Sequence, residues 1–167
     1  MKMIKTAALF FTLAILFLAC KKENETSALH IRMTDAPASW DEVNIDLQEV
    51  KVNFAKDSNS WVSLQTNAGI YNLLTLQNGI DTLIAQGVVP NDMIKEIRLV
   101  LGLNNTIKVN GQIYPLTIPS GASSGLKIKI NKKMNATLST LLIDFDASLS
   151  IKEEANGYKL RPVIKLK

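Results

Sequence analysis

Few side chains in this 167-residue sequence are of a kind that does chemistry, and their spacing limits what they can do. Gly121-Ala122-Ser123-Ser124-Gly125 matches the G-x-S-x-G pattern of a hydrolase nucleophile elbow, which needs a strand before it and a helix after it. Here Leu126, Ile128 and Ile130 alternate with Lys127, Lys129 and Asn131, which is strand periodicity. The single histidine, His30, also precedes the serine, whereas the base of such a triad follows it. The pattern therefore reads as a Gly/Ser loop between strands. Ser120, Ser123 and Ser124 are its candidate ligand-binding hydroxyls, because loops on rigid scaffolds carry recognition. One histidine and one cysteine, Cys20, leave no intramolecular disulfide and none of the usual thiolate or multi-histidine metal sites. No catalytic residue, metal or cofactor is assigned, and the chain is expected not to be an enzyme.

Carboxylates and aromatic rings supply the remaining candidates. Asp35 lies in Thr34-Asp35-Ala36-Pro37, where its carboxylate is suited to capping backbone N–H groups. Asp144 and Asp146 stand two apart on a strand pattern, so they share one face with Phe145 on the other. A hard-cation site would need several such oxygens, and an acid/base pair would need both in a cleft. Capping and buried hydrogen bonding are the favoured reading. Trp40 follows Pro37 in a polar loop; with Trp61, Tyr71, Tyr114 and Tyr158 it offers ring faces suited to sugar C–H groups, against the alternative of packing at the rim of the core. The candidate ligand-binding set is thus Asp35, Trp40, Ser120, Ser123 and Ser124.

Strands must position these groups. Ile97, Leu99 and Leu101, then Ile107 and Val109, recur with a period of two, and Asn110-Gly111 is the dipeptide of a tight type I′ hairpin. Residues 94–118 are read as three strands of one sheet. Leu29, Ile31 and Met33 mark a first strand, with His30 on its outer face. Val43, Ile45 and Leu47 alternate, then Val50, Val52 and Phe54 alternate in the opposite phase, so one long strand with a bulge near Gln48-Glu49 is expected. Ile80, Leu83 and Ile84 have helical spacing before Gly87, predicting one short helix near 78–86. Leu138 to Phe145 reads as a strand covered on both faces, and a last hairpin turns at Asn156-Gly157. Many short strands and little helix predict an all-β fold, an antiparallel Greek-key β-sandwich of the immunoglobulin or transthyretin kind.

Composition agrees with one folded domain: 47% hydrophobic and 20% charged residues, with only 6% aromatic. Met1 to Cys20 has the three-part form of an export signal, with Lys2 and Lys5 ahead of the apolar run Ala7 to Ala19. Its end, Phe17-Leu18-Ala19-Cys20, resembles the bacterial lipobox, which implies cleavage before Cys20 and diacylglycerylation of its sulfur. The expected organisation is a signal peptide over 1–19, a flexible tether over 20–27 beginning at lipidated Cys20, and a single β-sandwich over 28–167. Without Lys2 and Lys5, 17 of the 19 basic residues remain against 15 acidic ones, too even a balance for a nucleic-acid surface. Lys159, Arg161, Lys165 and Lys167 alternate with apolar residues as the solvated face of a strand.

Several short blocks then line up in order. They are Met33-Thr34-Asp35-Ala36-Pro37 with Val43-Asn44-Ile45, Ile97-Arg98-Leu99-Val100-Leu101, Tyr114-Pro115-Leu116 with Pro119-Ser120-Gly121, and Ser124-Gly125-Leu126-Lys127. Asp144-Phe145-Asp146-Ala147 with Ser150 and the terminal Tyr158-Lys159-Leu160-Arg161-Pro162-Val163-Ile164 complete them. Together these resemble the domain of unknown function 4382 family of secreted and lipid-anchored bacterial proteins over roughly residues 28–166. The resemblance implies an extracytoplasmic β-rich module and carries no catalytic residues. The expected role is a non-enzymatic, lipid-anchored binding module at the outer membrane, periplasmic or surface-exposed, whose ligand is a glycan or an envelope protein. The alternative is a structural or assembly component acting by protein–protein contact.

Overall fold

The computed structural model describes residues 25–57, 59–119, 125–134 and 137–167. In chain order they form β1 (Thr26–Thr34), β2 (Glu42–Phe54), β3 (Trp61–Ser63), β4 (Gln65–Thr66), β5 (Gly69–Asn72), a 3-10 turn (Leu73–Leu76), β6 (Thr82–Pro90) and β7 (Met93–Leu101). There follow β8 (Thr106–Val109), β9 (Gln112–Thr117), β10 (Leu126–Lys133), β11 (Leu138–Phe145), α1 (Ala147–Ser150), β12 (Ile151–Glu154), β13 (Gly157–Leu160) and β14 (Ile164–Leu166).

The strands make an all-β sandwich. One sheet has the order β14-β11-β1-β6-β4 and the other holds the remaining nine strands. Between them lie Leu29, Ile31 and Met33 of β1, Val43, Ile45 and Leu47 of β2, Leu99 of β7 and Ile143 of β11, all fully buried. Each such side chain withdrawn from water contributes roughly 1.5–3 kcal/mol to the gross driving force. Pairing is antiparallel except between β1 and β11 and between β13 and β9, which run parallel. His30 sits between Gln86 and Thr140 on the outer side of its sheet, half-buried, as its place in the alternation requires.

β2 is the spine of the larger sheet. β7 and β8 follow one another along one of its edges, while β3 and β5 do so along the other. Both flanking runs break where β2 does. Leu47 faces Leu101 and Glu49 faces Val100, so Gln48 is the extra residue of a bulge. That bulge reverses the phase from Val43-Ile45-Leu47 to Val50-Val52, keeping both sets inward. Asn110 (φ 52°) and Gly111 (φ 80°) turn β8 into β9, both with the positive φ of a type I′ hairpin. The three strands of residues 94–118 do share a sheet, although β7 and β8 pair with β2 rather than with each other.

The helix expected near 78–86 is not there. Those residues lead into β6, which pairs with β1. Its register slips beside Ile31 and Arg32, which face Ala85 and Leu83 and leave Ile84 between them. Ile84 and Ala85 are consequently buried side by side, and this broken alternation is what imitates helical spacing. Gly87 is no cap either: a Cβ there would stand 3.0 Å from Leu64 Cδ2, so glycine lets β6 pass beneath Leu64. The only α-helical turn among the described residues is α1. Thr26 and Ser27, expected in the tether, belong to β1, with Ser27 buried.

Candidate functional site

Asp35 and Trp40 lie in the loop between β1 and β2, at the end of the strands opposite Glu25. Asp35 is buried and accepts hydrogen bonds from the backbone N–H of Ala147 (2.8 Å) and from Gln77 Nε2 (3.2 Å). Its own N–H donates to Leu76 O at 3.0 Å. One carboxylate thus ties the end of β1 to the 3-10 turn and to the first residue of α1. Burial holds its carboxyl above the ordinary carboxylate value, opposed by the hydrogen bonds from Ala147, Gln77 and Ala36.

Asp146 has left β11 and caps α1, accepting from Leu149 N–H at 2.9 Å, so it does not share a strand face with Asp144. Asp144 remains on β11, buried, with Lys165 Nζ at 3.4 Å and Lys167 Nζ at 3.5 Å from its Oδ2; its Oδ1 has no hydrogen-bond partner. Lys159 and Arg161 pair with Glu154. Among the described residues no group of three or more His, Cys, Asp or Glu side chains is placed to hold a metal ion.

Three of the five candidate aromatic rings meet. Trp40 is edge-on to Tyr158 with centroids 6.3 Å apart, and Tyr114 lies 5.2 Å from Tyr158. All three are half-buried against the core. Trp40 is positioned by its neighbour: Asp41 N–H donates to Lys108 O (3.2 Å), and Asp41 Oδ2 accepts from Gly111 N–H (2.8 Å), locking the loop to the β8–β9 turn. Burial, with Glu153 nearby, pushes the Tyr158 phenol up. Tyr71 instead donates to Asn67 O, and Trp61 lies elsewhere.

Ser120, Ser123, Ser124 and Cys20 lie outside the described residues. Gly125, where that loop re-enters the structure, packs on Arg98 and on Leu99 O. Leu99 pairs with Val50, whereas Trp40 adjoins the start of β2; eight residues of strand separate the two, roughly 25 Å. Asp35 and Trp40 thus share the β1–β2 loop but engage different partners, Ala147 and Gln77 against Tyr158, and Gly125 is with neither.

Two arrangements carried no signal along the chain. Asp46, at the bulge of β2, is buried and accepts from Gln48 and from Asn104 N–H (3.1 Å), while its backbone bonds Gly102 N–H (2.7 Å) and Asn105 Oδ1 (2.9 Å). It organises the whole 102–105 loop, and a Cβ on Gly102 would stand 2.7 Å from its Cγ. The second is on the outer face of β3, β2, β7 and β10. There the guanidinium of Arg98 lies over the Trp61 ring, Cζ 3.9 Å from the centroid. Beside it is a cleft of about 350 Å³ lined by Asn53, Lys95, Glu96, Lys129 and Asn131. Its residues come from four separate strands, which no local pattern joins.

No curated protein and no solved structure matches the chain. The family model described as domain of unknown function (DUF4382) matches residues 26–162, from the first residue of β1 to the stretch before β14. That span covers every strand except β14, as the ordered motif blocks implied, and the chain belongs to this family.

Proposed function

We propose that this protein is a non-enzymatic, lipid-anchored binding module of the bacterial outer membrane, held by Cys20 and recognising a glycan or an envelope protein with the loops farthest from its anchor. The polarity of the domain carries this reading. Asn91 N–H donates to Glu25 O (2.8 Å) and its side chain to the Glu25 carboxylate (3.0 Å), so the chain enters at the β6–β7 end. Glu25 is five positions on from Cys20, at most about 18 Å of extended chain. An acylated Cys20 would keep that end near the bilayer and turn the Trp40 loop away from it. The nine residues of β1 set the two ends about 30 Å apart. The buried acids are engaged: Asp35 and Asp146 in capping, Asp144 with two lysines, Asp46 in its loop.

Assembly through an exposed sheet edge is the weaker alternative. The long edge strand β10 carries Lys127, Lys129, Lys132 and Lys133, a composition that discourages strand addition.

Intact-mass measurement of the protein from envelope membranes tests the anchor: loss of residues 1–19 and a diacylglyceryl increment on Cys20 are expected, and a bare thiol there would sink it. A glycan array and an envelope pull-down with the full-length protein test recognition. A hit abolished by Trp40→Ala is expected; if no hit depends on that change, the loop is not a recognition site.

A further inference from the structure

Lys127, Arg98 and Lys51 are directly opposed across β10, β7 and β2, with Ser63 of β3 next in the row. Adjacent strands are about 4.8 Å apart, so three cations fall within roughly 10 Å. Directly opposed like charges destabilise a sheet. Lys51 is answered by Glu49 at 3.0 Å, but Arg98 and Lys127 form no ion pair among the described residues. The next row, Lys129, Glu96, Asn53 and Trp61, adds one acid and one more cation, with Lys95 beside the cleft.

Arg98 is also held in place. A Cβ on Gly125 would stand 2.7 Å from Arg98 Cγ and 2.9 Å from its Cδ, so glycine at φ +99° makes room for the stem. Trp61 covers one face of the guanidinium, and Nε is buried with no hydrogen-bond partner. A guanidinium fixed by packing rather than by an acid loses little freedom when it meets a planar oxyanion in bidentate fashion.

We propose that the outer face of β3, β2, β7 and β10 binds an acidic saccharide, whose carboxylate or phosphate group sits on Arg98 with Lys127 as the second contact and whose ring lies along Trp61. The repulsive row gives the charge of the ligand, and the indole beside it suits the C–H face of a sugar. The face runs along the strands, whereas the chain enters at their end. A module anchored there holds this surface side-on to the bilayer, which favours an extended saccharide over a lipid headgroup.

Titration of the full-length protein in neutral detergent, followed by tryptophan fluorescence, tests this with three probes: oligogalacturonate, a neutral malto-oligosaccharide of matching length, and phosphatidylglycerol vesicles. Oligogalacturonate is expected to bind in a salt-sensitive manner and the neutral sugar not to bind. Arg98→Gln should weaken binding about tenfold or more, and Arg98→Lys by less. Lys127 is exposed, so Lys127→Gln leaves folding intact and should cost about threefold even if Arg98→Gln does not fold. Absence of oligogalacturonate binding, equal binding of the neutral sugar, binding untouched by both substitutions, or Arg98-dependent binding of vesicles alone would each overturn the proposal.

Discussion

The acidic end of the sandwich and its basic outer face treat charge in opposite ways. At the end of β1, Asp35 and Asp146 accept backbone and amide N–H groups, and Asp144 faces two lysines. On the face of β10, β7 and β2, Arg98 and Lys127 stand opposite each other with no acid engaged, and Arg98 rests on a tryptophan. These carboxylates hold helix turns and strand ends together, and hydrogen bonds or lysines offset part of the cost of burying them. A fixed cation in a repulsive row is a local inconsistency, and such inconsistencies mark functional surfaces. Residue type alone would have ranked the acids first; the arrangement ranks the arginine first.

The largest effect that would sharpen this contrast is expected from Asp35→Ala. It leaves the buried N–H of Ala147 and the Gln77 amide without their acceptor, and stability should fall by about 2–3 kcal/mol in urea unfolding. Asp146→Ala removes a single cap and should cost about 1 kcal/mol by the same measurement. Gly125→Ala should cost about 2 kcal/mol, through positive φ and collision with the Arg98 stem, and should also shift the tryptophan emission as Arg98 moves off Trp61.

Asp35→Asn separates geometry from charge. The amide oxygen still accepts from Ala147, but the buried ionised form is gone. Because burial raises the Asp35 pKa in the fold, wild type binds that proton more tightly folded than unfolded. The stabilisation this gives is complete below the ordinary carboxylate value of 3.8 and is lost as pH rises through the folded value. Unfolding curves from pH 3 upward should therefore show Asp35→Asn gaining on wild type as pH rises; parallel curves would refute the burial argument. The smallest effect has the opposite sign to most substitutions: Lys127→Gln should stabilise the protein by up to about 0.5 kcal/mol. A destabilised Lys127→Gln would mean that the row is not repulsive, and the contrast with the acidic end would collapse.

The elements were legible where one principle acted alone. The bulge in β2 showed in the sequence because the apolar phase reverses between Leu47 and Val50, and the β8–β9 hairpin showed because Asn110-Gly111 suits few other turns. β6 was misread because its slip beside Arg32 sets Ile84 and Ala85 side by side, and local spacing cannot reveal a partner strand fifty residues away. Of the candidate site, the juxtaposition of Trp40, Tyr114 and Tyr158 needed the docking of β13 on β9, which is a parallel pairing and carries no turn signal. Nothing local marks Arg98, between Ile97 and Leu99; its tryptophan comes from across β2 and its glycine from much later in the chain.

The parallel pairing of β1 with β11 has a kinetic consequence. β1 occupies the middle of its sheet, and one of its two neighbours, Leu138 onward, is synthesised only after every strand from β2 to β10. Until that segment arrives, the first strand exposes a row of backbone donors and acceptors along one side, and only the pairing with β6 is available to it. Closure of such a long loop is slow, on the order of milliseconds to seconds for β proteins of comparable topology. A chain cut short before Leu138 would keep every residue of β2 and β7 and still be left with an open seam beside β1.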